Sequence, residues 1–597
     1  MLGLLGHHTL DVEASHLHVA IAAHGDRLLE VTREHALAIV GDGDGTLLTR
    51  SDRLLGVRRY GATATGDGLV DDQWLVAHSR LPDDRDFNIS DLGYYTIPKL
   101  YGLMDTSSID AVNATNITSQ PFLNSKGQGV IVGIIDTGID YLSENFCDTA
   151  GNTRIMAIWD QTLEYRQNLY VNYGRIYEQA EINTALEAYR NGLNPYDYVG
   201  TTDITGHGTF MAGVIASRKI DDYIGVAPEA SIVCVKLKNA KKYLRDYFYI
   251  RDDAVCFEET DIMLAARFLK DYAGLKKMPL VIYMGLGSGL GSRTGGSPLS
   301  NVLDSLTMHV NTCVVVPAGN EAVKRTHFSG YASVVPEYKE MEINVERRGK
   351  GFVLEIWAKS LDVLSVSIIS PTGEIIPRIP ARIGSSTQYS FLLENSRIYV
   401  DYQITETVAG QEVIFMRFER PAEGLWKIDV YSLTNLPGYF NAWITLKELM
   451  DCDAYFLNSD ADVTLVEPAS GLRLITVGAY NHNTNGSDVN SSRGYTADNR
   501  VKPDIAAPGV NVYGVGGVRG YTVRSGTSIA AAHVAGAAAL FFSWGVTNNN
   551  RSVISNSEIK SYIIRGADRP GDIAYPNVEY GYGRLNIAGA FDQMRIS

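Results

Sequence analysis

Hydrophobic runs and polar breaks alternate after residue 128 with the spacing expected of strands and helices. Continuous apolar runs of strand length predict buried parallel strands, because such strands are covered on both faces. Stretches of helical length, such as Asp261–Ala273, separate these runs. The apolar runs lie at Val130–Ile135, Ser231–Lys236, Pro279–Met284, Thr312–Val316 and Leu474–Val477. The pattern predicts an α/β fold with a parallel sheet and helices on both of its faces.

Residues 338–450 follow a different rhythm, in which single apolar and polar residues alternate. Turn signals such as Pro371–Gly373 separate the alternating segments. The apolar positions include Met341, Ile343, Val345, Ile398, Val400, Tyr402, Ile404, Trp426, Ile428 and Val430. This rhythm predicts antiparallel strands in a sandwich or jelly roll, and the α/β pattern resumes after it. The β region is therefore an insertion within the α/β unit.

The chain before about residue 85 differs in composition from the rest. The first lysine is Lys99, and most of the histidines come before residue 85. The region is either a separate N-terminal domain or sequence with a different history, such as a fusion or a misplaced start, and composition does not separate the two. The first residues, MLGLLGHHTLDVE, lack the basic start and apolar run of a signal peptide.

Composition and charge exclude several classes of function. With 45% hydrophobic and 20% charged residues the chain is globular, and its net charge of −15 argues against nucleic-acid binding. The most apolar segment, Ile529–Phe542, is shorter than a membrane span, contains His533 and is expected to be a core helix. No membrane partner is expected. The five cysteines include no C-x-x-C pair, which predicts buried free thiols and a reducing compartment.

Three polar residues stand where chemistry is expected. Asp136, in GIIDTGID, follows an apolar strand, and functional groups collect at the carboxyl ends of parallel strands. His207 lies between glycines in DITGHGTFMAG, and Ser528 lies at the start of the apolar helix in SGTSIAAAHVAG. A serine nucleophile needs a histidine to take its proton and a carboxylate to orient that histidine. Backbone N–H groups at a helix start can also stabilise an oxyanion. The order Asp, His, Ser therefore predicts nucleophilic hydrolysis.

These three blocks resemble the signature motifs of the subtilisin-like serine proteases. The resemblance implies that Asp136 orients the histidine, that His207 is the general base and then acid, and that Ser528 is the nucleophile. A fourth block, VVVPAGNE, resembles the oxyanion-hole loop of the family and implies that the Asn320 side chain is a donor. The block VIYMGLGS resembles the strand that pairs with substrate. It implies substrate binding by Tyr283, Gly285, Leu286 and Gly287.

Within this family the chain resembles the clostridial germination (Csp-type) proteases, through IWDQT at Ile158–Thr162 and the inserted jelly roll. This resemblance implies limited proteolysis of a protein substrate, as in spore-germination zymogen activation. The missing signal peptide and the free thiols favour a cytoplasmic or spore-associated location over secretion. The resemblance also implies an N-terminal prodomain that is removed by self-cleavage and ends near TIPKLYGLMD (96–105). The predicted parts are a prodomain or foreign segment at 1–100, the catalytic domain at 101–330 and 457–597, and the jelly roll at 331–456.

Several positions have structural rather than catalytic interpretations. Asp203 is expected to cap a loop rather than contact substrate, His533 to be packed in its helix, and Tyr243–Tyr249 to form a solvated or partly buried loop face. Gly285 departs from the family, in which serine is common. No spacing indicates a metal site, and no cofactor is required, although calcium bound through loop carbonyls stays open. The alternative functions are a catalytically silent regulator and a general degradative protease.

Overall fold

The computed structural model describes residues 93–104 and 125–596 with short gaps. The gaps are 169, 333–336, 360–361, 383–385, 405–409, 434–437 and 518–519. The parts described before residue 93 are 18–23, 27–32, 45–50, 68–71, 74–79 and 89. The prediction of a prodomain or foreign segment at 1–100 therefore lies largely outside the described residues.

The strands are numbered in chain order. The first are β1 His18–Ala23, β2 Arg27–Thr32, β3 Gly45–Arg50, β4 Gly68–Leu69, β5 Trp74–Ser79, β6 Leu100–Leu103, β7 Ile131–Asp136, β8 Ile155–Asp160, β9 Arg175–Glu178 and β10 Ser231–Lys236. There follow β11 Cys256–Glu258, β12 Leu280–Met284, β13 Leu286–Gly287, β14 Thr312–Pro317, β15 His327–Ala332, β16 Lys339–Arg347, β17 Gly351–Lys359, β18 Leu364–Ile369, β19 Ile375–Ile379 and β20 Ser386–Phe391. The last are β21 Ser396–Gln403, β22 Gln411–Glu419, β23 Gly424–Ser432, β24 Gly438–Ile444, β25 Asp453–Phe456, β26 Ile475–Tyr480, β27 Ile505–Pro508, β28 Val512–Val515 and β29 Tyr521–Arg524.

The α-helices are numbered in the same way. They are α1 Gln179–Arg190, α2 His207–Ala216, α3 Lys242–Tyr247, α4 Glu259–Lys276, α5 Pro298–Leu306, α6 Thr527–Phe542, α7 Asn556–Arg565 and α8 Ile587–Ile596. The polar serine cluster that precedes the apolar segment thus lies at the beginning of α6, as its sequence predicts. The last two helices, α7 and α8, follow α6 and pack in the same core with it.

An eight-stranded sheet forms the centre of the molecule, in the order β27-β26-β14-β12-β7-β10-β8-β9. Its neighbouring strands are parallel except at the edge, where β8 and β9 are antiparallel. Apolar side chains of β7 point alternately into two cores. One core includes α2, α6, α7 and α8, and the other includes α4 and α5. The predicted α/β architecture is confirmed, although the sheet is mixed rather than wholly parallel.

Two antiparallel sheets form the insertion between β14 and β26. Their orders are β15-β24-β17-β22-β21-β20 and β19-β18-β23-β16-β25. Apolar residues of both sheets share one buried core, which the alternation in the sequence explains, because every second side chain of a strand faces the same side. The predicted antiparallel insertion is therefore observed. Its assignment as a jelly roll stays a prediction.

A small three-stranded sheet brings the N-terminal segment onto the α/β unit. Its order is β11-β6-β13, and both pairs are antiparallel. Strand β6 thus lies between two strands that are distant from it in sequence. The remaining small sheets are β1-β2, β3-β5-β4 and β28-β29.

The helical segment Thr527–Thr547, which is α6 with the turn that follows it, is the one helix of the described residues that is long and apolar enough to cross a membrane by length and composition. Of its most apolar 18 residues, 89% are buried inside the protein. The small alanines pack against the central sheet and against α2. The prediction that this segment is a core helix agrees with its position.

Two further predictions concern buried side chains. All five cysteines are buried and free, as their wide spacing predicts. The interpretation of Tyr243–Tyr249 as a solvated or partly buried loop face is wrong, because this stretch contains α3 and buries Leu244, Tyr247 and Phe248. These side chains pack against the inserted sandwich, a contact that local polarity does not reveal.

Candidate active site

Asp136 and His207 meet at the end of the central sheet. Asp136 is the last residue of β7 and His207 is the first residue of α2, and both side chains are fully buried. The Nδ1 atom of His207 lies 2.7 Å from Oδ1 of Asp136. The same carboxylate oxygen accepts a hydrogen bond from the backbone N–H of Thr137 at 2.7 Å. The pair therefore has the geometry in which a carboxylate fixes the orientation of an imidazole.

Asp203 connects the two loops that carry this pair. Its Oδ1 atom accepts from the Thr137 hydroxyl at 2.8 Å and from the Gly206 N–H at 3.0 Å. Its Oδ2 atom accepts from the N–H of Thr209 at 2.9 Å, which caps the beginning of α2. Asp203 is therefore a positioning residue behind the pair, in agreement with the loop-capping interpretation of the sequence.

The glycines on either side of His207 are required for two different physical reasons. Gly206 has a φ of 68°, in the left-handed region that favours glycine at the start of the helix. A Cβ atom at Gly208 would lie 2.1 Å from the backbone oxygen of Gly138. The close approach of α2 to the loop after β7 therefore requires glycine, and it brings His207 within reach of Asp136.

Ser528 lies in the first turn of α6, and its side chain is fully buried. Tyr283, in β12, donates its hydroxyl hydrogen bond to the backbone oxygen of Ser528 at 3.1 Å. A Cβ atom built on Gly285 would lie 2.4 Å from the Tyr283 Oη atom and 3.0 Å from both Asp136 Oδ2 and His207 Cε1. The Asp136–His207 pair and the beginning of α6 are therefore neighbours around Gly285.

Asn320 lies in the loop that follows β14 and is held by the helix that carries Ser528. Its Oδ1 atom accepts from both the N–H and the hydroxyl of Thr527, each at 3.1 Å. The Thr527 hydroxyl in turn accepts from the N–H of Gly319 at 3.1 Å. The remaining polar group of this amide is its N–H₂ group, which can only donate hydrogen bonds. Thr527 fixes this amide, a role that the sequence motif did not indicate.

The carbonyl group of Met104, at the end of β6, lies against Ser528. The Oγ atom of Ser528 donates to the Met104 oxygen at 2.7 Å, and the Ser528 N–H points to the same oxygen at 3.3 Å. The N–H of Met104 donates to the oxygen of Gly285 at 3.2 Å. The chain therefore presents one of its own peptide carbonyls to the serine hydroxyl and to the N-terminus of a helix.

Strand β6 occupies a groove between β11 and β13. On one side of β6, Leu103 pairs with Leu286 and Gly102 pairs with Gly287 of β13. On its other side, β6 pairs with β11. A Cβ atom at Gly287 would lie 3.3 Å from Met104 Sδ, so the methionine side chain fills the space beside this glycine. The groove thus holds an extended peptide by main-chain pairing and by an apolar side-chain pocket.

The predicted substrate-binding residues take two different positions. Gly285, Leu286 and Gly287 contact the peptide that β6 forms, through one backbone hydrogen bond and two paired residues. Tyr283 lies instead in the central sheet, between β7 and β14, and contacts Ser528 from behind. The role of Met104 was missed, because its partner Ser528 is far away in the sequence.

Two other predicted features lie in the described part of the chain. His533 Nδ1 lies 2.9 Å from the backbone oxygen of Ile529 within α6, and burial lowers the pKa of His533 to about 4, which fits a packed helix histidine. Among the described residues, no group of three or more His, Cys, Asp or Glu side chains could hold a metal ion. Calcium binding through backbone carbonyls stays a separate prediction.

Comparisons with known proteins found similarity to one protease family. A sequence profile described as the subtilase family matches residues 127–370 and 453–583. The structure of the CspB protease of Clostridium perfringens superposes with a TM-score of 0.70 at 31% sequence identity, and the match covers 79% of this chain and 94% of that chain.

Curated relatives share lower identity or shorter segments. The PII-type proteinase of Lacticaseibacillus paracasei is 23% identical over 561 residues, which cover 84% of this chain and 27% of the proteinase. Subtilisin DY of Bacillus licheniformis is 33% identical over 133 residues, which cover 22% of this chain and 42% of the subtilisin. The matched region thus spans about a quarter of the length of the large proteinases.

Proposed function

The chain belongs to the subtilase family, and we propose that it is a serine endopeptidase with Ser528 as its nucleophile. The assignment of the general base to His207 and of the orienting carboxylate to Asp136 is supported by their hydrogen bond of 2.7 Å in a fully buried site. The proximity of both to Gly285, which also contacts the peptide bound at Ser528, supports a common site.

The proposed reaction forms and hydrolyses an acyl-enzyme. Ser528 Oγ attacks the carbonyl carbon while His207 accepts the hydroxyl proton and Asp136 stabilises the imidazolium. The negative charge that develops on the carbonyl oxygen is stabilised by the Ser528 N–H and by the Asn320 amide. His207 then donates its proton to the leaving amine. A water molecule, deprotonated by His207, attacks the acyl group and releases the carboxylate product.

The observation that carries this proposal is the position of the Met104 carbonyl. Its oxygen accepts from both the hydroxyl and the N–H of Ser528, while the Met104 N–H pairs with Gly285. An endopeptidase must donate the N–H of its nucleophile to the carbonyl oxygen before the cleaved bond and must hold that residue by main-chain pairing, and both contacts are present here. The hydroxyl, which here donates to the same oxygen, must turn to His207 for the attack. We therefore propose that the chain cleaves itself between Met104 and Asp105, and that the preceding residues act as a prodomain.

The groove also indicates a preference at the residue before the cleaved bond. Met104 is almost fully buried and packs with Val466 in one apolar cluster. A Cβ atom at Gly287 would lie 2.3 Å from Val466 Cγ2, so Val466 limits the width of the pocket. We expect unbranched apolar side chains such as methionine to be preferred. Limited proteolysis of a protein substrate, including a role in spore germination, rests on the Csp-type resemblance.

A fluorophosphonate probe and a peptide library test the proposed chemistry together. The wild-type chain is expected to be labelled at Ser528 and to hydrolyse peptides with methionine before the cleaved bond, and Ser528→Ala is expected to do neither. Ser543→Ala is the matched control, because it removes a buried hydroxyl just beyond the other end of α6. A folded wild-type chain that neither reacts nor hydrolyses, also after removal of residues up to Met104 by an added protease, would favour the silent regulator.

A further inference from the structure

The outer face of the six-stranded sheet of the insertion is covered by the N-terminal segment. Along β17 the side chains of Phe352, Leu354 and Ile356 enter the core of the sandwich, whereas Val353 and Trp357 face the other way. On that outer face they pack in one cluster with residues of the N-terminal segment and of the loop around α3. The N-terminal residues of the cluster are Ile89, Tyr94, Tyr95, Ile97, Leu100 and Met104.

A buried carboxylate on this face binds the side chain of Tyr94. Glu355 is fully buried, and its Oε1 atom accepts from the Tyr94 hydroxyl at 2.6 Å. Its Oε2 atom accepts from the N–H of Gly291 at 2.8 Å and from the indole N–H of Trp357 at 3.0 Å. The Tyr94 ring also lies edge-on to Trp357, with the ring centroids 4.9 Å apart. Tyr94 therefore satisfies a carboxylate that is costly to bury without donors.

One side chain of the same sheet binds the peptide backbone at Tyr94 and at Ile89. Gln403, at the end of β21, accepts from the Tyr94 N–H at 3.1 Å and donates to the Ile89 oxygen at 2.9 Å. A glutamine that pairs with an N–H and a carbonyl of one segment recognises its backbone rather than its side chains. The Tyr94 hydroxyl and the segment's backbone thus have separate partners on the insertion.

Lys99 stabilises the bound shape of the segment. Its ammonium group donates to the backbone oxygens of Tyr94 and Ile97 at 2.7 and 2.8 Å, and it lies 3.8 Å from the centroid of the Tyr94 ring. The side chain is 2% exposed. The Lys99 N–H donates to the Glu259 carboxylate at 3.1 Å, immediately before β6 enters the groove. The segment therefore turns on itself at the insertion and then extends toward Ser528.

We propose that the outer face of the six-stranded sheet, formed by Glu355, Trp357, Gln403 and Phe415, whose ring lies edge-on to that of Tyr94, is a peptide-binding exosite for Ile89 and residues 93–99 of this chain. The ligand is a tyrosine-bearing peptide segment upstream of the cleaved bond. The exosite adds affinity to the groove, because two linked sites bind one chain with a high effective concentration. It therefore retains the N-terminal fragment after cleavage, and this second consequence rests on the proposed function.

Hydrogen exchange in the full-length Ser528→Ala chain tests the exosite without any need for cleavage. Tyr94→Phe removes one hydroxyl, and Gln403→Ala removes both backbone contacts. Each is expected to accelerate amide exchange of residues 93–99 by about two- to tenfold, the range for loss of one or two hydrogen bonds. Tyr402→Phe is the matched control, because its hydroxyl bonds to Ile379 within the sandwich. Unchanged exchange in both variants, or equal acceleration in the control, would overturn the proposal.

Retention of the fragment is measured in the catalytically active chain. After self-cleavage, the fragment that ends at Met104 is expected to co-elute with the rest of the wild-type chain in gel filtration. In the double variant Tyr94→Phe/Gln403→Ala it is expected to dissociate at least tenfold faster, with a matching rise in hydrolysis of a short peptide. Equal dissociation from both proteins would contradict the exosite. A chain that never cleaves itself would refute the proposed self-cleavage, and the exchange result would still decide the exosite.

Discussion

At Gly285 the site depends on the absence of a side chain. The sequence already marks this glycine as a departure from a family in which serine is common there. The structure gives the reason, because the Tyr283 hydroxyl fills the space that a side chain would need. The same hydroxyl bonds to the backbone of Ser528. The position of the Tyr283 hydroxyl thus requires that residue 285 has no side chain.

Gly285→Ala is expected to lower kcat/KM by about 10- to 100-fold without unfolding the protein, because small displacements of reacting groups have effects of that size. The added Cβ would lie 2.4 Å from Tyr283 Oη and 3.0 Å from Asp136 Oδ2. The second substitution Tyr283→Phe, which removes the nearest atom, is expected to restore part of the loss. Gly274→Ala is the control, because a Cβ at that helix position has no neighbour within 4 Å. Full activity of Gly285→Ala would contradict this interpretation.

Thr527→Val is expected to lower kcat with little change in KM, because the Thr527 hydroxyl holds Asn320 and Gly319 in place. Loss of a whole oxyanion donor costs about 10²–10³ in kcat, a value measured in a subtilisin, so Asn320→Ala sets the upper limit. Thr527→Ser keeps the hydroxyl and is expected to retain most of the rate. Steady-state kinetics of the three variants on one peptide measure the effect. Equal rates for Thr527→Val and Thr527→Ser would show that the hydroxyl has no positioning role.

The residues that the sequence identified are those with local motifs. Asp136, His207 and Ser528 each lie in a short sequence block. The glycines of that block, or the helix that begins in it, indicate a tight turn or a helix N-terminus. Met104 has no such motif, because its contact with Ser528 exists only when β6 enters the groove. The roles of Thr527 and Tyr283 depend in the same way on contacts between distant segments.

At the scale of elements, sequence patterns predicted the strands better than their arrangement. Apolar runs mark β7, β10, β12 and β14, and alternation marks the strands of the sandwich, because both patterns follow from which faces are buried. The error at Tyr243–Tyr249 has the same origin. That stretch is buried by the insertion, which is distant in the sequence. The polarity of the stretch itself therefore does not indicate its burial.

The sandwich contains a buried carboxyl group that makes its stability depend on pH. Burial raises the pKa of Glu412, in β22, from 4.5 to about 8. The folded protein therefore keeps a proton that the unfolded chain has released between those two values. It follows that the free energy of unfolding falls as the pH rises from about 4.5 to about 8.

Glu412→Gln is expected to remove this pH dependence, because a neutral amide resembles the protonated carboxyl that accepts from the Leu364 N–H. The variant and the wild type are expected to unfold at similar temperatures near pH 4.5. Near pH 8 the variant is expected to have the higher Tm, by about 1 °C for each kcal/mol gained, because the entropy of unfolding grows with chain length. Differential scanning fluorimetry measures both, with the exposed Glu423→Gln as control. A Tm difference that is independent of pH would contradict the prediction.

At the scale of the whole molecule, the N-terminal segment connects the catalytic unit and the insertion. Residues 100–104 lie in the groove at Ser528, and the residues before them contact the outer face of the sandwich. Composition marked the region before residue 85 as different, and a short block predicted the end of a prodomain. Neither indicated that the insertion contacts this segment, since that contact joins residues far apart in the chain.

Self-cleavage by Ser528 is tested by the intact mass of the purified chain beside that of its Ser528→Ala variant. We expect the wild-type chain to yield a fragment that begins at Asp105, whereas the variant stays whole at the 104–105 bond. A wild-type chain that remains uncut there under conditions in which it hydrolyses other peptides, or a variant that is cut at that bond equally fast, would contradict this expectation.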